Sequence, residues 1–145
     1  MKALLAIVLI VLSIFLFAGC YNNIHPNHKD LDDNMLDLMM YHDNLGQYLR
    51  EGKQDEASWL LEGMDSCLKV ISAGFPTHRK LRAPFEKYYQ KELEMPIKGI
   101  RAALTKKDFP AAISAYQVLT NNCNGCHADH DIDKEVIDWS DSSIH

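Results

Sequence analysis

The sequence predicts an all-α protein, folded as an antiparallel up-down-up-down four-helix bundle. In four segments between residues 30 and 130, apolar residues recur at steps of three and four, which is the period of a helix with one buried face. No segment reads convincingly as a strand, and short connections between helices favour antiparallel neighbours. With 145 residues, 47% of them apolar, the chain is long enough for one domain with a proper core.

The first helix is expected from about Asp30 to Arg50, where acidic residues at the start suit the positive end of the helix dipole. Its inner face comprises Leu31, Met35, Leu38, His42, Leu45 and Leu49. A turn around Gly52 leads to a second helix, expected over about residues 55 to 73. The inner face of this helix comprises Ala57, Leu60, Leu61, Met64, Leu68 and Ile71, with Cys67 beside it.

The third helix is expected to begin near Pro84, because proline is tolerated at the first helical position. Pro96 lies inside this helix and is expected to kink or split it, since proline donates no backbone hydrogen bond and clashes with the preceding turn. The fourth helix should begin after Asp108 as N-cap, with Pro110 in its first turn. Its inner face comprises Ile113, Tyr116, Thr120, Cys123 and His127.

Residues 123 to 127 read Cys-Asn-Gly-Cys-His, the C-x-x-C-H pattern through which a c-type haem is attached. Cys123 and Cys126 can each form a thioether with one vinyl group of a porphyrin, and His127 can bind the iron as proximal ligand. The pattern therefore predicts one covalent haem c on the inner face of the last helix.

Three other interpretations of the motif remain open at the level of sequence. The two cysteines could be a redox pair, although that function is typical of a βαβ neighbourhood and this one is helical. They could form half of a zinc site with His127 and with His130 or His42, although no second cysteine pair is present. They could also form a disulfide.

The beginning of the chain predicts export. Lys2 and the apolar run that follows it are typical of a signal peptide, residues 1 to 19, because the run is too short to span a bilayer in the usual way. The residues before Cys20 resemble the lipobox of bacterial lipoproteins, with Phe17 where Leu is usual. We expect Cys20 to be lipidated; plain cleavage or a retained anchor helix are the alternatives. Each places the folded part in the bacterial periplasm or cell envelope.

Both ends of the mature chain are polar. Residues 20 to 29 have no periodicity and are expected to form a tether. Residues 131 to 145 are expected to form a solvated acidic tail. Trp139 in this tail could fold back onto the bundle. Loss of Lys2 with the signal peptide changes the net charge from −5 to −6, which indicates no nucleic-acid partner. Cys67 is the remaining thiol and is expected to be buried.

The four helices over residues 30 to 130, with C-x-x-C-H near the end of the last one, resemble the cytochrome c-prime (class II) family and the related four-helix low-spin cytochromes. In that family a residue of helix one decides the chemistry. A methionine there gives a six-coordinate electron carrier, and an apolar residue leaves the iron open to small gases. Met35 is the first candidate for distal ligand and Met39 the alternative, while His42 would give a bis-histidine haem.

The motif and the resemblance together imply a lipid-tethered monohaem c-type cytochrome that carries single electrons between redox partner proteins and is not an enzyme. The alternative is a five-coordinate haem protein that binds or senses NO or CO, with gas or peroxide chemistry at an open iron. A third hypothesis is a helical lipoprotein in which the motif is coincidental. A homodimer is left open.

Overall fold

The computed structural model describes residues 30–76, 81–141 and 143. Within these residues the protein contains four helices and no strand, which confirms the all-α prediction. The helices are α1 (Leu31–Arg50), α2 (Gln54–Gly74), α4 (Phe109–Asp129) and a composite α3. Helix α3 consists of α-helical Phe85–Tyr88, π-helical Tyr89–Leu93 and α-helical Glu94–Thr105.

The predicted signal peptide, the tether and lipidation at Cys20 lie outside the described residues. In the part of the chain that the structure describes, no helix has both the length and the apolar character needed to cross a membrane.

The ends of the helices follow from local chemistry. The side chain of Asp30 accepts a hydrogen bond from the backbone N–H of Asp32 at 3.3 Å, and it caps α1. The N-cap predicted at Asp108 is confirmed, because its carboxylate accepts from the N–H of Ala111 at 3.1 Å. Between α1 and α2 the chain turns at Gly52, whose φ of 69° lies in the left-handed region that glycine adopts without strain.

One apolar core lies between the helices, and α1 packs mainly on α2 while α3 packs mainly on α4. All the predicted inner-face residues of α2 are buried, as are Leu45 and Leu49 of α1. Burial of each leucine-sized side chain stabilises the fold by about 1.5–3 kcal/mol relative to exposure. The apolar spacing therefore identified the core face of α2 fully and that of α4 in part, since Tyr116 and Thr120 are buried whereas His127 is half-buried and outside the core.

The interruption expected in α3 is present, and it takes the form of the π-helical turn just before Pro96. Proline has no N–H, so the carbonyl of Glu92, four residues earlier, loses its helical donor. The side-chain amide of Asn122 on α4 donates to that carbonyl at 2.5 Å instead. The helix itself begins one residue later than predicted, since Pro84 is the N-cap and Phe85 the first helical residue.

Most side chains of the acidic tail are exposed, as expected for a solvated end, but its backbone follows a defined path. The chain reverses after α4 and returns along it, so that Trp139 packs beside Gly46 of α1, as the sequence suggested for this tryptophan. Near the end of the tail, Arg50 donates to the carbonyl of Asp141 at 3.3 Å. Backbone hydrogen bonds and one aromatic side chain hold the segment in spite of its charge.

Candidate functional site

The predicted motif lies in the last two turns of α4. Cys123 and Cys126 are three residues apart, and Cys123 and His127 are four apart, so the three side chains share one face of the helix. Cys123 packs against the apolar core, and Cys126 lines a groove beside it. The structure thus brings together the three residues that the sequence predicted.

An open groove runs between the beginning of α3 and the end of α4 and has a volume of about 430 Å³. It is lined by Ala83, Lys87, Tyr88, Lys91, Glu92, Asn121, Asn122, Gly125, Cys126 and Asp129. Tyr88 is the aromatic residue of this lining. Phe85 and Tyr116 are buried in the core, and Tyr89 donates its hydroxyl to Asp65.

The imidazole of His127 has a defined orientation. Its Nδ1 lies 2.7 Å from the backbone carbonyl oxygen of Lys134. Because a carbonyl only accepts hydrogen bonds, Nδ1 carries a proton, and in the neutral imidazole the lone pair is then on Nε2. Histidines that bind metals almost always donate the other ring N–H to a carbonyl, carboxylate or water in this way. His127 is therefore prepared to bind a metal through Nε2.

The two motif thiols are protonated at neutral pH. Burial, with a smaller contribution from Cys126, raises the pKa of Cys123 to about 12, and burial with the nearby Asp129 raises the pKa of Cys126 to about 11. A redox-active C-x-x-C pair depends on a lowered thiol pKa, so these values disfavour that interpretation. The two sulfurs are unbonded, which also differs from the disulfide interpretation.

The zinc interpretation also gains no support from the geometry. Over the residues that the structure describes, no group of three or more histidine, cysteine, aspartate or glutamate side chains could hold a metal ion. His130, one candidate for a further ligand, makes the same kind of bond as His127, from Nδ1 to the carbonyl of Cys126 at 2.7 Å, so this bond does not distinguish the two histidines. The edge of the Tyr88 ring packs against its imidazole at 5.0 Å between centroids.

The three candidates for a distal iron ligand have different environments in α1. Met35 is partly buried against the core, whereas Met39 is 45% exposed. His42 is buried with both ring nitrogens engaged: Nε2 lies 2.9 Å from the hydroxyl of Thr120, and Nδ1 lies 3.2 Å from the carboxylate of Asp43. These bonds would have to break before His42 could bind iron.

Sequence reasoning missed three hydrogen-bonding groups around the motif: the amides of Asn122 and Asn124 and the carbonyl of Lys134. The two asparagines were recognisable in the sequence, because their polar amides flank Cys123 on a helix whose neighbouring positions pack against the core. The carbonyl of Lys134 was not recognisable, since every residue has a backbone carbonyl.

Comparison with models of known protein families, with curated proteins and with solved structures finds no match to this chain.

Proposed function

We propose that the protein is a monohaem c-type cytochrome that carries single electrons. The observation that supports it best is the environment of His127. Its Nδ1 donates to a backbone carbonyl, which is the bond that metal-binding histidines usually make, and His127 follows two cysteines in the spacing that c-type haem attachment requires.

The motif residues have the chemistry of a covalent haem site: Cys123 and Cys126 would hold the haem through thioethers, and His127 would bind the iron. The groove beside Cys126 is lined mainly by polar and charged side chains and would receive only an edge of the porphyrin. When bound, the haem supplies the one-electron chemistry. The chain supplies the axial ligand, an apolar wall around Cys123, and hydrogen bonds that orient the ligand.

The up-down-up-down arrangement is part of the proposal, and contacts between helices support it. In three neighbouring pairs, residues early in one helix meet residues late in the other: Asn34 with Cys67, Gln54 with Leu104, and Ala115 with Gly99. Between α1 and α4, His42 meets Thr120 near the middle of both helices. This arrangement would place the beginning of α1 beside the end of α4.

The same register favours Met35 as the distal ligand. His42 meets Thr120, and Met35 lies seven residues before His42 as His127 lies seven residues after Thr120. Seven residues are about two helical turns, so in antiparallel helices Met35 and His127 are expected at the same level. The partial burial of Met35 is consistent with this role, and the exposure of Met39 makes it the second choice.

The cellular setting is proposed from the sequence. Lipid on Cys20 would tether the protein to a membrane outside the bacterial cytoplasm, where it would exchange electrons with redox partner proteins. No enzymatic activity is part of the proposal. The sulfur of Cys126 lies 3.9 Å from Nδ1 of His130, but that nitrogen donates its proton to the Cys126 carbonyl and is not placed to act as a base.

The test is the visible absorption spectrum of the mature protein, recorded oxidised, reduced, and reduced under carbon monoxide. We expect a covalent haem with a low-spin spectrum that does not respond to the gas. Cys123→Ala should reduce covalent attachment, and Cys67→Ala, a buried thiol on α2, is the matched control and should not. A high-spin spectrum that shifts with carbon monoxide would contradict the electron-transfer function and support gas binding. Absence of covalent haem would refute both functions.

A further inference from the structure

The chain reverses direction at the end of α4 through a defined hydrogen-bonded turn. The N–H of Ile132 donates to the carbonyl of His127 at 2.9 Å, and the N–H of Asp131 donates to the carbonyl of Ala128 at 3.2 Å. These are the two bonds of a Schellman motif, and Asp131 occupies its left-handed position with a φ of 55°. The turn directs the following residues back along α4.

Asn124 holds this returning segment by two bonds. Its side-chain nitrogen donates to the carbonyl of Val136 at 3.0 Å, and its side-chain oxygen accepts from the N–H of Val136 at 2.7 Å. Asn124 and His127 are three residues apart on α4, so both face the returning segment. Because Val136 is fixed, the carbonyl of Lys134, two residues earlier, is held at the height of the His127 ring.

The segment is also held at both of its ends. Near α4, the carboxylate of Asp131 accepts from Arg82 at 2.6 Å, an exposed pair that contributes little energy by itself. At the far end Ser140 is buried, and Trp139 packs beside Gly46. Lys134 therefore lies in the middle of a segment that is attached to α4, to α1 and to Arg82 in the loop before α3.

We propose that residues 131 to 141 are a positioning element for His127, which holds the imidazole as its Nδ1–H tautomer with Nε2 directed away from the tail. The positioning is a property of the chain alone. Its consequence at an iron rests on the proposed function: a histidine that donates Nδ1–H to a carbonyl is a more basic ligand, so loss of the bond should raise the reduction potential of the haem.

The first experiment measures ¹⁵N NMR signals of the imidazole nitrogens in the full mature chain without haem. In the wild type we expect a single Nδ1–H tautomer at His127. Asn124→Ala removes both bonds to Val136 and should give a mixture of tautomers. Gln117→Ala, an exposed residue two turns earlier on the same face of α4, is the matched control and should leave the signals unchanged.

A second variant tests whether the effect of Asn124→Ala arises from a disturbance of α4 itself. Val136→Pro removes the N–H that donates to Asn124 and leaves every helix residue intact, so it should reproduce the mixture. A mixture of tautomers in the wild type, or a single unchanged tautomer in both variants, would overturn the positioning role.

The second experiment measures the reduction potential of the haem-loaded proteins. We expect a rise in Asn124→Ala and no change in Gln117→Ala. An unchanged potential in a variant whose tautomer has changed would overturn the effect on the iron. If no haem binds, the proposed function fails, while the nitrogen signals still decide whether the segment positions His127.

Discussion

The side-chain amide of Asn122 donates a 2.5 Å hydrogen bond to the carbonyl of Glu92, the carbonyl that a proline four residues later leaves without a helical donor. The defect in α3 is thus compensated by α4 at the residue next to Cys123. The bond connects the interruption of one helix to the position of the motif on the other.

Asn122→Ala is predicted to destabilise the protein by about 1–3 kcal/mol, because it leaves the Glu92 carbonyl unsatisfied. The measurement is the free energy of unfolding in urea. Pro96→Ala supplies a backbone N–H, so the Asn122 substitution should cost less in that background. Equal costs in both backgrounds would show that the two features are not coupled.

Gly46→Ala is predicted to destabilise the fold by about 1–3 kcal/mol through overpacking. A Cβ at this position would lie 2.5 Å from the hydroxyl oxygen of Tyr116 and 2.9 Å from the Cβ of Trp139. Gly125→Ala is the comparison, because its Cβ would meet nothing within 4 Å, and it should stabilise α4 by about 0.5–1 kcal/mol. Thermal unfolding of the two variants checks this; the same sign for both would contradict it.

The buried carboxylate of Asp65 is predicted to make stability depend on pH. Burial alone would raise its pKa, but hydrogen bonds from Lys69, Tyr89 and Arg101 outweigh burial and lower it. A lowered pKa in the folded state means that the carboxylate stabilises the protein above its unfolded pKa of about 3.9, and that this contribution is lost as the pH falls through the folded value.

Asp65→Asn should therefore cost about 2 kcal/mol at pH 7 and progressively less as the pH falls below 4. Urea unfolding between pH 7 and pH 3 measures the difference from wild type. Asp133→Asn, an exposed carboxyl in the tail, should remain within about 0.5 kcal/mol of wild type at pH 7. A cost for Asp65→Asn that stays constant with pH would refute the linkage.

Met35→Ala is predicted to convert the haem-loaded protein from low spin to high spin and to open the iron to carbon monoxide. Met39→Ala should keep the low-spin spectrum, because its side chain is half exposed on the outside of α1. The visible spectra of the two variants decide between them. Loss of low-spin character in the Met39 variant alone would assign the ligand to Met39.

The sequence was informative where apolar side chains decide the structure. The spacing of Leu60, Met64 and Leu68 encodes a buried helical face, and the structure buries all three. Pro96 correctly predicted an interruption of α3. The form of that interruption depends on Asn122, a partner on another helix, so local sequence could not specify it.

The tail was the part that composition described poorly. Its acidic residues favour solvent, but the bonds that hold it use the backbone of Lys134 and Val136, whose carbonyls and N–H groups leave no trace in a sequence. The thiols and imidazole of the motif were predicted from residue identity. The orientation of the imidazole was not, because it depends on where the chain returns after Asp131.

The π-helical turn Tyr89–Leu93 determines the direction in which the preceding residues of α3 face. A π turn contains one residue more than an α turn, so Phe85–Tyr88 is rotated by about 100° around the helix axis relative to an uninterrupted α-helix. Tyr88 thereby lines the groove while Phe85 lies in the core. The extra residue of the π turn is therefore what places the aromatic ring of Tyr88 in the groove.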